Sequence, residues 1–343
     1  MELSPLQKSI IEAPARKSVV ISAAASGKTR TLTEKVRWIL RAGFDPKEIA
    51  VVTYTNMAAT ELRQRLGEDY KDGLFIGTIH SLANYLLLSH GIKTGKLLDE
   101  ERFDELFALI LKNPQCARYY EWILLDEAQD SDPLQFQFLF DFLKPECFFI
   151  TGDPKQSIYQ FRGARPQLMV NLSRAPGVQL FDMNENYRNG YNILNYAKRI
   201  IRPTGLEDTS IAKYPSNGAV SEIAFDSNFI LNKIYSIGDY RDWAILTRTN
   251  KDIELMSYIL KREKVPFDTF KQGDLTKEDL TKRMEADTVK ILTVHSAKGL
   301  EWPNVFVMGT RFHPIEERNV CYVAATRAKD NLFWVTKKKG ARF

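Results

Sequence analysis

Apolar positions along the chain follow two alternating patterns. Short β-branched or aromatic runs at 19–21, 49–53, 75–79, 122–125 and 147–151 predict buried strands, and apolar residues between them recur at helical spacing. After Thr29 the helical set is Leu32, Val36, Ile39 and Leu40, ending at Gly43; after Asn56 it is Ala58, Leu62 and Leu66. Residues 3–11 begin as an amphipathic helix with Pro5 in its first turn. The second half continues in kind, with strands at 289–293, 305–308 and 331–336 and an amphipathic helix at 253–261. Strands alternating with helices imply parallel sheets, so the fold class is α/β.

Several strands end in residues with chemical potential. The first runs through Ser22 into Ala23-Ala24-Ala25-Ser26-Gly27-Lys28-Thr29. Strand, small-residue loop and helix are the parts of a phosphate loop: backbone N–H groups at the helix N-terminus face a polyphosphate, Lys28 reaches the β/γ-phosphates, and the Thr29 hydroxyl is placed for Mg²⁺. Ser22 stands where the first glycine of that pattern belongs, and a small-residue turn capping a helix is the alternative. Gln7 is either a surface polar group or a reader of an adenine edge, since its amide both donates and accepts. Tyr54-Thr55-Asn56 lies where an open α/β sheet places ligand contacts, unless Asn56 serves only as a helix cap; His80 and Ser81 follow another strand in the same way.

The sharpest signal is the apolar run 122–125 followed at once by Asp126-Glu127. It describes a buried strand delivering two carboxylates to a sheet edge, with Asp126 suited to Mg²⁺ through water and Glu127 to orienting the attacking water. The strand at 147–151 leads to Gln156, suited to a γ-phosphate or its water, and then to Tyr159, Phe161 and Arg162. Tyr159 and Phe161 are either core or, with Arg162, a stacking surface for bases next to a nucleotide sensor.

Composition narrows the picture slightly. The 343 residues suffice for two domains with sizeable cores, and 48 basic against 43 acidic residues give +5, which permits a polyanionic partner without demanding one. Cys116, Cys147 and Cys321, like the four histidines, are scattered without zinc or disulfide spacing. With no signal-like N-terminus and no membrane-length apolar run, the expected setting is a reducing, cytoplasmic one of bacterial or phage type; Lys337-Lys338-Lys339 reads as a solvated end.

Taken together and in order, Thr53-Tyr54-Thr55-Asn56, Gly77-Thr78-Ile79-His80-Ser81, Asp126 to Asp130 and Gly152 to Tyr159 resemble the motifs of superfamily-one DNA helicases of the UvrD/Rep/PcrA type. The series continues with Asn184-Glu185-Asn186-Tyr187-Arg188, Trp243 to Asn250, Thr293 to Trp302, Glu316-Glu317-Arg318 and Tyr322 to Ala328. The resemblance implies two RecA-like parallel-sheet motor domains, 1–183 and 184–343 with the boundary near Asp182, and ATP in the cleft between them. It implies that Gln7 reads adenine, Tyr187 stacks on it and Arg30 lies near it, and that Glu301 approaches the ribose. Ser26, Gly27, Lys28, Thr29, Asp126, Glu127, Gln156, Arg188 and Arg327 would surround phosphates, Mg²⁺ and water, the two arginines as charge-stabilising fingers. Tyr54, Asn56, His80, Tyr159, Phe161, Arg162 and His295 would contact single-stranded DNA.

Two departures from the family pattern stand out. Ala23 and Ala25 occupy loop positions the family usually fills with glycine, and an alanine forced to positive φ costs about 1–2 kcal/mol. The accessory insertions are nearly missing: 82–121 holds a couple of helices and 267–287 reads as a short charged linker. The expectation is a monomeric, ATP- and Mg²⁺-dependent translocase and helicase of the repair or replication kind. It would move 3′ to 5′ on single-stranded DNA or a DNA tail, without a membrane partner. An RNA-dependent ATPase and a nucleotide-gated DNA clamp or loader are the alternatives.

Overall fold

The computed structural model describes residues 2–270, 282–309, 312–313 and 317–336. Glu316, the lysine tail and the stretch 271–281 of the expected linker lie outside them. The chain forms two compact units, residues 1–22 with 26–183, and residues 184–343 with 23–25.

In the first unit, β1 (Lys17–Ser22), β2 (Ile49–Thr53), β3 (Phe75–Thr78), β4 (Trp122–Leu125), β5 (Cys147–Gly152) and β6 (Gln179–Met183) form a parallel sheet in the order β3-β2-β4-β5-β1-β6. Its central strands are buried on both faces, which is why they read as unbroken apolar runs. Alternate residues serve two cores. Val20, Val51 and Leu124 pack with α1 (Pro5–Glu12), α2 (Lys28–Arg41) and α3 (Asn56–Leu66); Val19, Val52 and Leu125 pack with α4 (Ile79–Ser89), α6 (Phe103–Leu111) and the helical segment from Pro133. The short helix α5 (Gly95–Asp99) precedes α6, so residues 82–121 contain the helices the sequence predicts.

Helix α1 is built by its termini. Ser4 and Gln7 form a reciprocal capping box at its start, with Pro5 as the first helical residue. At its end the buried Lys35 of α2 donates to the carbonyls of Ile11, at 2.8 Å, and Ala13, at 3.1 Å, with its ammonium 4.0 Å from the Trp38 ring centre. A cation on the last carbonyls of a helix satisfies groups that have no intrahelical partner. Lys35 thereby fixes the helix carrying Gln7 to the helix carrying Lys28 and Thr29.

The second unit repeats the architecture, and among the described residues no phosphate loop follows its strands. β9 (Ala219–Ala224), β10 (Trp243–Thr247), β11 (Phe267–Phe270), β12 (Val289–Thr293), β13 (Trp302–Val307) and β14 (Ala328–Thr336) form a parallel sheet ordered β11-β12-β10-β13-β14-β9. Trp243, Phe306 and Phe333 from three strands stack on one another within one core. Two-residue strands β7 (Glu185–Asn186) and β8 (Ile211–Ala212) pair separately.

The expected charged linker needs correction. Its first four residues are the edge strand β11, paired to β12 from Phe267↔Val289 to Phe270↔Leu292. Four residues with polar Asp268 and Thr269 between two phenylalanines carry too little apolar signal alone, and each pairing partner lies twenty-two residues on. The exposed pattern of β6 and β9 hid those strands likewise.

Burial pushes the Lys35 ammonium down to about 8, while the unfolded chain keeps it near 10.5. Between those values the unfolded state binds the extra proton, so the contribution of Lys35 to stability rises with pH. Urea unfolding of wild type and Lys35→Met should give a difference that grows in favour of wild type from pH 8 to pH 10; a constant difference would contradict this placement.

Candidate nucleotide-binding and nucleic-acid-binding sites

The loop between β1 and α2 ends in Gly27, which takes φ 84° as the N-cap of α2. A side chain there would be strained, and its Cβ would come within 2.7 Å of Gln7 Nε2. Gln7 is buried: its Nε2 donates to the Ser26 carbonyl at 2.9 Å and its Oε1 accepts from Ser4 N–H at 3.0 Å. These bonds use half of the amide's capacity, leaving one N–H and one lone pair for a base edge. Of the two unusual alanines, Ala25 adopts φ 57° and Ala23 does not. The hydroxyl of Ser22, at the missing-glycine position, donates to the Gly152 carbonyl at 3.1 Å and ties the start of the loop to the end of β5.

Asp126 directly follows β4 and is buried. Its Oδ2 accepts from the Thr29 hydroxyl at 3.2 Å, and its Oδ1 from the Thr151 hydroxyl at 2.7 Å and the Glu127 N–H at 2.9 Å. Burial, and then the neighbouring Glu127 carboxylate, raise its pKa; the Thr151 hydroxyl and the Lys28 charge oppose them. A buried carboxylate beside a threonine hydroxyl is a hard-oxygen pair fitted to Mg²⁺, which takes few protein ligands and retains water. Among the described residues no group of three or more His, Cys, Asp or Glu forms a fuller metal cage.

Glu127 has φ 54° and ψ 41°, a left-handed conformation that turns the chain sharply after Asp126. Its Oε1 lies 3.9 Å from Lys28 Nζ, and its Oε2 accepts a hydrogen bond from Gln129 Nε2. Gln129 Oε1 accepts the Asp153 N–H at 2.9 Å. Asp153 in turn takes the Gln156 amide at 2.7 Å and pairs with Lys155 at 3.2 Å. Lys28, Thr29, Asp126, Glu127 and Gln156 therefore belong to one bonded neighbourhood within the first unit. Sequence reading assigned no role to Gln129, Thr151 or Asp153; Gln129 and Asp153 stand inside quoted motifs, but only tertiary pairing shows what they bind.

The aromatic expectation divides. Tyr159 is 4% exposed and stacks on Tyr54 with ring centres 5.0 Å apart, whereas Phe161 is 70% exposed. Arg162 lies over both Tyr159 and Phe161, at 5.8 and 5.6 Å. Thr55, not Asn56, caps α3 by accepting from Ala58 N–H, which leaves Asn56 exposed at its first position. His80 packs against Phe103 and Phe107, ring centres at 4.4 and 5.2 Å. Burial lowers its pKa to about 4, with Asp104 opposing, so it offers a neutral imidazole. Phe103, a partly exposed ring beside His80, carried no motif signal.

In the second unit Arg188 bonds Glu301 through Nε and the Thr326 carbonyl, at 3.3 Å, through a terminal nitrogen. Glu301 also meets Lys329 at 2.7 Å. Burial opposes its ionisation, yet Arg188 and Lys329 hold its carboxyl below the usual range. Arg327 is buried, donating to the carbonyls of Val323 at 3.0 Å and Leu300 at 3.2 Å. Tyr187 bonds Glu185 at 2.7 Å, and Arg30, in the first unit, reaches the Glu2 carbonyl at 3.4 Å. His295 sits half-buried just past β12. Each residue thus has a defined local setting.

Comparison with known proteins gives a consistent picture. The chain matches the UvrD/REP helicase N-terminal domain over residues 3–116 and 111–176, and the UvrD-like helicase C-terminal domain over 271–339. It is 24% identical to ATP-dependent DNA helicase Rep of Escherichia coli (strain K12) over 369 residues, covering 78% of this chain and 55% of Rep. It is 24% identical to DNA helicase II of the same organism over 366 residues, with 77% and 51% covered. With Gabija protein GajB of Bacillus cereus (strain VD045) it shares 26% over 461 residues, covering 94% of this chain and 93% of that protein. The chain spans about half the length of Rep and of DNA helicase II. Among the described residues no helix is long and apolar enough to cross a membrane.

His80 supplies a pH test of its setting. Its folded pKa of about 4 lies below the 6.5 of the free side chain, so stability present above pH 6.5 is lost as pH falls toward 4. His80→Phe should remove that loss. Relative to wild type it should gain about 3 kcal/mol between pH 7 and pH 4 in denaturant titrations; parallel acid profiles would refute the buried-imidazole assignment.

Proposed function

The chain belongs to the UvrD/Rep helicase family, and on that premise we propose that it is an ATP-driven motor that translocates 3′ to 5′ on single-stranded DNA and opens duplexes. The observation that carries the proposal is the conjunction of Thr29 with Asp126 and of Lys28 with Glu127 at the end of one loop and one strand. A phosphate-binding cation, a metal-binding pair and a water-orienting carboxylate are the parts that phosphoryl transfer to water requires.

In this reading the loop N–H groups and Lys28 bind the triphosphate, and Gln7 offers its remaining donor and acceptor to adenine. Thr29 and Asp126 hold Mg²⁺, which when bound neutralises charge on the phosphate oxygens. Glu127 orients water and accepts its proton; Lys28, now paired with that carboxylate, exchanges it for phosphate oxygens. Gln156 contacts the terminal phosphate or its water. From the second unit, Arg188 and Arg327 serve as charge-stabilising groups, because planar, permanently charged donors suit oxygens over which transition-state charge spreads. Tyr187 and Arg30 complete the base site, and Glu301 that of the ribose. Tyr54, Asn56, His80, Phe161, Arg162 and His295 hold the strand by stacking and polar contact without sequence preference, and buried Tyr159 supports Tyr54 and Phe161 from beneath. A monomer with domains 1–183 and 184–343 is the proposed working form.

Lys28→Ala should lower single-stranded-DNA-stimulated ATP hydrolysis at least about a hundredfold, as expected when a phosphate-clamping charge is lost from the transition state. Normal turnover in that variant would refute the site. Phe161→Ala should remove one stacking platform of about 1–3 kcal/mol. It should slow streptavidin displacement from biotinylated strands more than it slows ATP hydrolysis, whereas equal losses would argue against a role in movement. Stimulation by RNA equal to that by DNA of the same length would replace the DNA reading with an RNA-dependent one.

A further inference from the structure

We propose that Gln129 is a positioning residue that links the Glu127 carboxylate to the strand-contacting segment 153–162. The inference rests on the reading of Glu127 as the water-orienting group and of Phe161 and Arg162 as strand contacts. Gln129 is fully buried and spends both ends of its amide on these two segments: Nε2 donates to Glu127 Oε2, and Oε1 accepts from Asp153 N–H at 2.9 Å.

The connection is reinforced on both sides. The Gln129 carbonyl accepts the Ser157 hydroxyl at 3.2 Å, and the Ser131 carbonyl accepts the Arg165 N–H at 2.9 Å, so 129–131 is stitched to the backbone beyond 153. Asp153 passes the link to Gln156 at 2.7 Å, three residues before Tyr159. Room for the amide comes from Gly152, where a Cβ would stand 2.6 Å from Gln129 Oε1 and 2.6 Å from Met169 Sδ. An amide is the group for this position. It donates to a carboxylate and accepts from a backbone N–H at once, and it carries no charge to disturb the pair Asp126 and Glu127.

A strand that stacks on exposed Phe161 shifts segment 153–162, and Gln129 carries that shift to Glu127. Coupling of this kind acts on the rate of the chemical step and leaves ground-state binding unchanged. Two substitutions separate the halves of the link. Gln129→Leu removes both hydrogen bonds at similar volume, and Gln129→Glu keeps the acceptor for Asp153 N–H while replacing the donor to Glu127 with a repelling oxygen.

The test measures ATP turnover of the full chain with and without oligo(dT), together with oligo(dT) binding by fluorescence anisotropy and folding by circular-dichroism melting. In both variants the stimulated kcat should fall at least about tenfold, with the KM for ATP and the Kd for oligo(dT) within about twofold of wild type. Gln129→Glu, nearly isosteric, keeps the test decisive if the leucine variant does not fold. Wild-type stimulation in a folded variant, or a loss matched by an equal rise in KM, overturns the proposal. A wild type indifferent to oligo(dT) overturns the functional reading beneath it; a stimulated wild type with indifferent variants overturns the role of Gln129 alone.

Discussion

A carboxylate taken out of water must be compensated, and Asp126 states that requirement at the centre of the first unit. An uncompensated buried charge costs several kcal/mol, so every element around it supplies a donor. Thr29 comes from the start of α2, Thr151 from the end of β5 and the Glu127 N–H from the chain's own turn. β5 lies between β1 and β4, so Thr151 stands where it can bridge the loop following one strand and the turn following the other. The sheet order thereby becomes a matter of electrostatics as well as packing, and the left-handed turn at Glu127 follows from bringing its N–H back to the preceding side chain.

The second unit satisfies its charges by the same logic with other materials. Arg188 and Lys329 share the Glu301 carboxylate, and Arg327 rests on main-chain carbonyls. An arginine held by carbonyls keeps its full positive charge, since these acceptors have none to cancel it, whereas one held by a carboxylate is locally neutralised. The two arginines differ in the setting of their guanidinium groups: Arg327 donates to the carbonyls of Val323 and Leu300, and Arg188 meets the Glu301 carboxylate.

Much of this architecture could be read from the residues because parallel strands buried on both faces leave continuous apolar runs, as at 49–53, 122–125 and 147–151. Of the edge strands, β3 was legible and β6, β9 and β11 were not. β6 is largely exposed and β11 is four residues long with a polar centre, so their existence depends on a neighbour remote in sequence. At the site, Lys28, Thr29, Asp126 and Glu127 were legible because loop and strand pattern fix their backbone positions. The connecting residues were not: an amide such as Gln129 has no distinctive spacing, and its partners are defined only by the fold. Exposure was equally hidden. Tyr159 and Phe161 are two positions apart in an irregular segment without a period to sort them, yet one is core and the other surface.

The alanine at position 25, held at φ 57°, carries a further implication. A methyl group at each of positions 23, 24 and 25 narrows the backbone conformations open to the loop, and the strain of the left-handed one is spent when the chain folds. Such a loop has little freedom left to surrender. On the proposed function, a nucleotide would meet a loop whose left-handed alanine has already cost its strain in folding, and the heat of association would reflect contacts more than rearrangement.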